Sequence, residues 1–433
     1  MKTRQKPQSI TENKLIIAFD ISKDKLNCYS EYPTTDKSKV NYLEDEFCNR
    51  TDTIKSKLMQ WVRLSEEGDY DGLHIVAEAT SVYHRKLFRT AHRMGITTSL
   101  VNTESVSKLK VVESNDSGKT DQKDPRIIFT LAALGKTLTH RQISGEYALL
   151  RQWNKIIFDL EKKMVSLRCQ LHTIVSELFC DYTFNKDFLY STSGQALVFL
   201  YGANPQKIVA DDYSVFVKKM KREVPRIKGQ TLQRIYEDAL MSVQHCLSTE
   251  YTALLSHQVR TAIDDYNRFK TRKEEARFVV EGLYNKLLKE NPLYPKPTQG
   301  VISGYWLGRL FGEIGPIEDF QTVRRLLRYA GLNIREQSSG TTKGRNKVSK
   351  KGRVMLRVLL SQVVFPLVKK KALYGDYYHG KKNGNMPGTK ANTAVQRKFL
   401  KMLYGWSKSG KAFDPNRLFA CESKYKTEMK LAS

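Results

Sequence analysis

The sequence predicts an α/β domain followed by a mostly helical remainder. Three observations carry this: short apolar runs spaced by a helix over residues 14–134, a long heptad-like stripe over 149–178, and a Pro-marked break at NPLYPKP (291–297). In the first region, KLIIAFDISKDKLNCYSE (14–31) is apolar up to Asp20, turns through polar residues, and resumes alternation at Lys25, the pattern of a β-hairpin. LHIVAE (73–78) is a further strand closing on Glu78, and a helix pattern covers Tyr83 to Met94. Thr97–Val101 forms another strand, and KTDQKD opens a helix over about 121–134.

The stripe Leu149, Trp153, Ile156, Leu160, Met164, Leu167, Leu171, Ile174, Leu178 advances in steps of three and four, as one face of a long helix does. A second stripe runs through Tyr236, Leu240, Val243, Leu247, Tyr251 and Leu254. Together they predict a helical hairpin or coiled-coil arm, and the spacing leaves open whether it is intramolecular or joins two chains. After the break, TQGVISGYWLGRLFGEIGPIEDF resembles two short helices around a glycine-containing turn, a form that grips a DNA backbone through its N–H groups. The expected domains are therefore 14–145, 146–290 and 298–420.

Charge restricts the function classes. The net charge of +28 is concentrated in residues 321–433, which hold 26 Lys/Arg against 5 Asp/Glu. A surface of that sign attracts polyphosphate through counterion release. No run approaches the roughly 20 apolar residues of a spanning helix, so a membrane partner is not expected. MKTRQKPQSI lacks the apolar core of a secretory signal, and the six cysteines show no C-x-x-C spacing. Both features predict a cytoplasmic protein with reduced thiols. No phosphate-binding G-x-x-x-x-G-K-[ST] loop occurs, which argues against ATP-driven chemistry.

Against this basic background stand four carboxylates. Asp20 and Glu78 close strands, and Asp121 and Asp124 lie one helical turn apart. Oxygen donors at strand ends and a helix start suit a hard cation such as Mg²⁺, and a pair of such ions clamps the attacking and leaving oxygens of a phosphoryl transfer. Each residue also has an ordinary reading: a strand-ending aspartate is a turn former, and Asp121 is equally a helix N-cap. His84, at a helix start, is a proton shuttle or simply a solvated group.

The order Asp20, then EAT (78–80) with Tyr83-His84, then KTDQKD (119–124) resembles the DEDD motif of RuvC-like insertion-sequence transposases, the IS-one-ten family of bridge-RNA-guided recombinases. The stretch from GVISGYWLGRLFGEIG through AGL (330–332) to SKKGRVMLR is similar to that family's second domain, and GDYYHGKKNGNMPGTKANTAVQRKFLKMLYGWSKSG to its final helix region. The similarity spans roughly residues 14–415 in order. It departs at Ser81, where the family has glycine, at Asn102-Thr103 in place of Asn-Pro, and at Pro125. It implies an RNase H/RuvC-like first domain, a coiled-coil arm, and a C-terminal domain with a helix-hairpin-helix. It also implies that Asp20, Glu78, Asp121 and Asp124 hold two Mg²⁺ ions, with Mn²⁺ able to substitute.

The resemblance further implies a serine nucleophile that forms a covalent phosphoserine with DNA. In Gln337-Ser338-Ser339-Gly340 the residue directly before the glycine is Ser339, with Ser338 its neighbour. A covalent link conserves the phosphodiester's energy, in keeping with the missing phosphate-binding loop. Lys343, Arg345, Lys347, Lys350, Lys351 and Arg353 follow as candidate phosphate contacts. The implied partners are donor and target double-stranded DNA, a structured guide RNA, and a second copy of the chain in a dimer or tetramer. The implied setting is a prokaryotic cytoplasm, at the nucleoid. Two other readings remain: a RuvC-like endonuclease using metal-activated water, and a basic nucleic-acid-binding protein without catalysis.

Overall fold

A computed structural model describes residues 13–33, 40–78, 82–113, 123–141, 143, 145–185, 187–245, 248–335, 338–339, 342–343 and 347–418. The chain divides into two compact units, 1–142 and 143–433.

The first unit is built on a mixed sheet. Strands β1 (Leu15–Ile21), β2 (Lys25–Pro33) and β3 (Val40–Cys48) form an antiparallel meander, followed by α1 (Thr51–Glu67). Next come β4 (Leu73–Glu78), α2 (His84–Arg93), β5 (Thr97–Val101), α3 (Thr103–Glu113), α4 (Lys123–Ala133) and the short β6 (Leu138–Thr139). The strand order is β3-β2-β1-β4-β5-β6, with β1, β4 and β5 parallel. The expected hairpin is β1–β2, turned where Ser22 N–H donates to the Lys25 carbonyl over 3.0 Å. Strand β3 and helices α1 and α3 were not expected from the sequence, although the buried Ile54, Leu58, Trp61 and Ser65 of α1 recur at helical spacing. This order fits the RNase H/RuvC-like arrangement that the resemblance implies.

Both faces of the sheet are covered, which explains why β1 is apolar almost throughout. Ile17, Phe19, Ile75 and Ala77 pack with Trp61 of α1 and Phe88 of α2. Ala18 and Val76 point the other way, onto Ile127 and Ile128 of α4. Of the cysteines, Cys28, Cys48, Cys169 and Cys180 are free thiols, and burial pushes the Cys28 thiol up to about 12.

The second unit is helical: α5 (Gly145–Leu178), α6 (Thr192–Tyr201), α7 (Pro205–Val209), α8 (Tyr213–Glu223), α9 (Gly229–Val243) and α10 (Thr249–Glu290) precede the expected break. After it come α11 (Gly304–Ile314), α12 (Val323–Tyr329), four two-residue strands, α13 (Val354–Leu367), α14 (Gly375–Asn383) and α15 (Gly388–Ser409). The long helices α5 and α10 pack along one another within the chain. One core lies between Leu171 and Ile263, and a second joins Leu150 and Ile157 to helices after residue 276. Because α5 and α10 run through both cores, the regions expected at 146–290 and 298–420 lie in one compact unit.

Three sequence expectations change here. The first half of the α5 stripe is rotated: Leu150, Asn154 and Ile157 are buried, while Leu149 and Ile156 are exposed. The stripe over 236–254 is not continuous, since α9 ends at Val243 and a new helix starts on the Ser248 cap, whose hydroxyl accepts from Tyr251 N–H. Finally, only one α-helix forms within 298–320. Residues 298–302 make a bridged turn, α11 follows, and Gly315 (φ +75°) turns the chain into a short 3-10 segment. Every residue of Leu307–Ile314 is buried, so most of α11 is a core helix.

No helix among the described residues is long and apolar enough to cross a membrane.

Candidate active site

In the first unit the candidate site grows out of the β1–β4 pair. The parallel register sets Phe19 beside Ala77, so Asp20 and Glu78 are the next residues on adjacent strands. Side chains alternate along a strand. Asp20 therefore shares its face with Ala18, and Glu78 with Val76, the residues that pack on α4. Asp124 stands three and four residues before Ile127 and Ile128, on the helix face turned to the sheet.

The structure thus brings Asp20 and Glu78 together at one sheet end, with Asp124 opening the helix that covers it. Asp20 Oδ1 accepts from Ile21 N–H at 2.9 Å, and Asp124 is ion-paired with Lys110 of α3. Asp121 lies outside the described residues. Among the described residues no group of three or more His, Cys, Asp or Glu side chains is arranged to hold a metal ion.

One residue missed in the sequence bears on whether a cation fits. Asn27 on β2 stands directly across from Asp20, and its buried Oδ1 has no hydrogen-bond partner. A buried acceptor without a donor costs roughly 1–3 kcal/mol. An amide oxygen and neighbouring carboxylates are the oxygen donors a hard cation takes, so the donor set fits a hard divalent cation. Nothing in the spacing of the sequence singles out Asn27; the antiparallel register does.

His84 is engaged with aromatic neighbours: its ring centroid lies 5.4 Å from Phe88 and 6.3 Å from His140. Burial holds His140 below its ordinary pKa, with His84 and His92 adding like-charge repulsion.

In the second unit the serine stretch is a hairpin. Strands β7 (Ile334–Arg335) and β10 (Lys347–Val348) pair antiparallel, and within them β8 (Ser338–Ser339) pairs with β9 (Thr342–Lys343). Ser339 stands opposite Thr342, with only Gly340 and Thr341 between them in the sequence. Arg345 lies outside the described residues. Lys347, Lys350 and Lys351 are exposed along the returning side.

The hairpin is fastened at its base. Ser349 N–H donates to Asn333 at 2.9 Å, Lys350 N–H to Gly331 at 2.9 Å, and Arg353 N–H to Tyr329 at 2.7 Å, all to backbone carbonyls. Gly331 takes a left-handed φ of +69°. The two chains approach so closely that a Cβ on Gly352 would sit 2.4 Å from the Gly331 nitrogen. Below them, Arg353 Nε donates to Glu313 Oε2 at 2.6 Å, and Asn154 Nδ2 donates to Glu313 Oε1 at 3.1 Å. Arg151 donates to the Gly312 and Glu313 carbonyls at 2.9 and 2.7 Å. Among the described candidate phosphate contacts, Arg353 has its guanidinium engaged with the core.

Two family models match the chain in order. One for DEDD-type insertion-sequence transposases, described as Transposase, covers residues 17–180, and one described as Transposase IS116/IS110/IS902 family covers 302–379. Among curated proteins no relative matches. The two matched segments carry the Asp20–Glu78 strand pair and the serine hairpin, and together they cover more than half of the 433 residues. The chain belongs to the DEDD transposase family of IS110-type insertion sequences, enzymes of transposition and DNA recombination.

Proposed function

We propose that this transposase cuts and rejoins double-stranded DNA through a phosphoserine link at Ser339. The side-by-side placement of Asp20 and Glu78 at the ends of neighbouring parallel strands is the observation that carries the reading. Asp20, Glu78, Asp121 and Asp124 hold the divalent cation, with Asn27 offering an amide oxygen beside Asp20. Bound there, a divalent ion supplies Lewis-acid stabilisation of charge developing on phosphate oxygens. For Asp124 to join that set, its carboxylate must exchange Lys110 for the cation.

The Ser339 hydroxyl attacks a DNA phosphorus. The Oγ–P bond forms, one bridging P–O bond breaks, and the departing strand end takes up a proton. Reversal on a second DNA end restores the serine and rejoins the strands without ATP. Lys343, Arg345, Lys347, Lys350 and Lys351 contact flanking phosphates, which positions DNA without reading its sequence. Choice of donor and target falls to a structured guide RNA, and a dimer or tetramer brings the ends together.

The test is a covalent trap. Wild-type protein, Mg²⁺, the element's own RNA and a nicked DNA substrate should yield a protein–DNA adduct that survives denaturant. Ser339→Ala should yield none, and Asp20→Asn should lose both the adduct and cleavage. Hydrolysed DNA with no adduct would make the protein a RuvC-like nuclease instead. Activity unaffected by Asp20→Asn would leave only a basic binding protein.

A further inference from the structure

A cavity of about 830 Å³ opens between α14, α15 and the chain that follows α15. That size falls within the roughly 300–1,000 Å³ of small-ligand sites. Its floor is apolar, built from Met386, Met402, Trp406 and Phe413, and one wall is Ile334 at the start of the serine hairpin's stem. Its rim carries Lys381, Arg397, Lys398, Lys401 and Lys411 against the single carboxylate of Asp414.

Three features ask for an anionic, partly apolar occupant. Lys381 and Lys398 are both gathered over the Tyr377 ring, with their Nζ atoms 4.7 and 4.6 Å from its centroid. This gathers two positive charges beside one ring at the edge of the cavity. The Arg397 Nε is buried with no hydrogen-bond partner, a donor in need of an acceptor. Gly405 lines the cavity in the middle of α15, and a Cβ there would meet nothing within 4 Å. A mid-helix glycine weakens the helix, and here it leaves this space open.

We propose that the cavity receives one unpaired nucleotide of the DNA strand lying along the serine hairpin. The base enters the apolar floor, and its phosphates sit among Arg397, Lys398 and Lys401. The choice of DNA follows from Ile334, which joins the cavity wall to the hairpin stem, and so rests on the reading of that hairpin as the DNA-cleaving element. Positive charge at the rim matches phosphate, while the apolar floor suits a base face, since stacking on aromatic side chains tolerates any base.

Binding of the full-length protein to three fluorescent probes tests this: a paired DNA duplex, the same duplex with one extrahelical adenine, and an RNA counterpart of the bulged duplex. Wild type should prefer the bulged DNA to the paired DNA by about tenfold, as one stacked base allows. A 2-aminopurine at the bulge should be quenched on binding. Gly405→Leu, whose added side chain starts in open space at the cavity lining, and Arg397→Ala should each bring the preference to within about twofold, with paired-duplex affinity nearly unchanged. The proposal falls if the preference is absent, if it survives Gly405→Leu, or if only the RNA bulge is preferred. It also falls if an acidic amphipathic peptide, and no nucleic acid, is lost with Gly405→Leu. Salt-dependent duplex binding without a bulge preference overturns the cavity assignment alone. No affinity for any duplex overturns the DNA reading with it.

Discussion

Arg353 and Glu313 form an ion pair, Nε to Oε2 at 2.6 Å, in which the carboxylate is almost wholly buried and the guanidinium is about a third exposed. The pair ties the end of the serine hairpin to α11, and Asn154 of α5 donates to the other Glu313 oxygen. Removing one partner of such a pair leaves an uncompensated buried group, at a cost of several kcal/mol. Glu313→Ala should lower the stability of the second unit by roughly 3 kcal/mol in denaturant unfolding. Glu313→Gln, which keeps an oxygen acceptor, should cost less. A Glu313→Ala change within about 0.5 kcal/mol of wild type, the range of ordinary surface substitutions, would refute the role.

Gly352→Ala tests the backbone contact beside that pair. The new Cβ would fall 2.4 Å from the Gly331 nitrogen and 2.5 Å from the Tyr329 carbonyl oxygen, neither of which can swing aside as a side chain would. Overpacking of this kind typically costs about 1–3 kcal/mol. The helical signal in circular dichroism should persist, while DNA cleavage drops by more than about tenfold because a displaced base moves the whole hairpin. Full cleavage by this variant would show that hairpin placement does not depend on the glycine pair.

The exposed lysines and Arg353 should separate in a salt titration. Lys347→Ala, Lys350→Ala and Lys351→Ala are each expected to reduce the slope of log affinity against log salt by about 0.9, one released counterion per lost phosphate contact. Their folding stability should stay unchanged. Arg353→Ala should show the reverse balance, with stability falling more than the slope, because its Nε is engaged with Glu313. Equal slopes for all four variants would contradict the division.

Acid should weaken the first unit through His140. Burial beside Phe88, 4.7 Å between ring centroids, and the nearby His84 and His92 hold its folded pKa below the ordinary 6.5. As pH falls below 6.5 the unfolded chain binds this proton first, so stability is lost from there down through the folded pKa, and the group contributes nothing above that window. His140→Phe keeps an aromatic ring against Phe88 and should flatten this part of the pH–stability curve. An unchanged slope below pH 6.5 would remove His140 from the account.

Periodicity carried the sequence reading wherever one simple pattern governs a segment. The β1–β2 hairpin, the strand ending at Glu78, the helix after it and the length of α5 were legible in this way. It misled where two partners compete for one helix. In the first half of α5, α11 packs so tightly that Gly312 lies against Leu150, and the buried face includes Asn154, which no hydrophobic stripe contains. Asp20 and Glu78 stood out because a carboxylate ending an apolar strand is conspicuous. Asn27 did not, since its position depends on a pairing register between strands. Glu313 is one charge within an apolar helix, and its partner Arg353 lies 40 residues later in the chain.

The sequence by itself determined the leading hairpin, the strand ending at Glu78 and the helix after it, the basic character of the last quarter, and the family through the resemblance of the motifs around Asp20, Glu78 and Ser339. Local chemistry suffices for these: side-chain period, turn formers and charge are properties of neighbouring residues. Only the tertiary structure decided that the basic stretch after Ser339 returns as a hairpin fastened at Gly331–Gly352 and Glu313–Arg353. Those contacts join residues distant along the chain, and close backbone approach and buried charge pairing leave no trace in any short window of sequence.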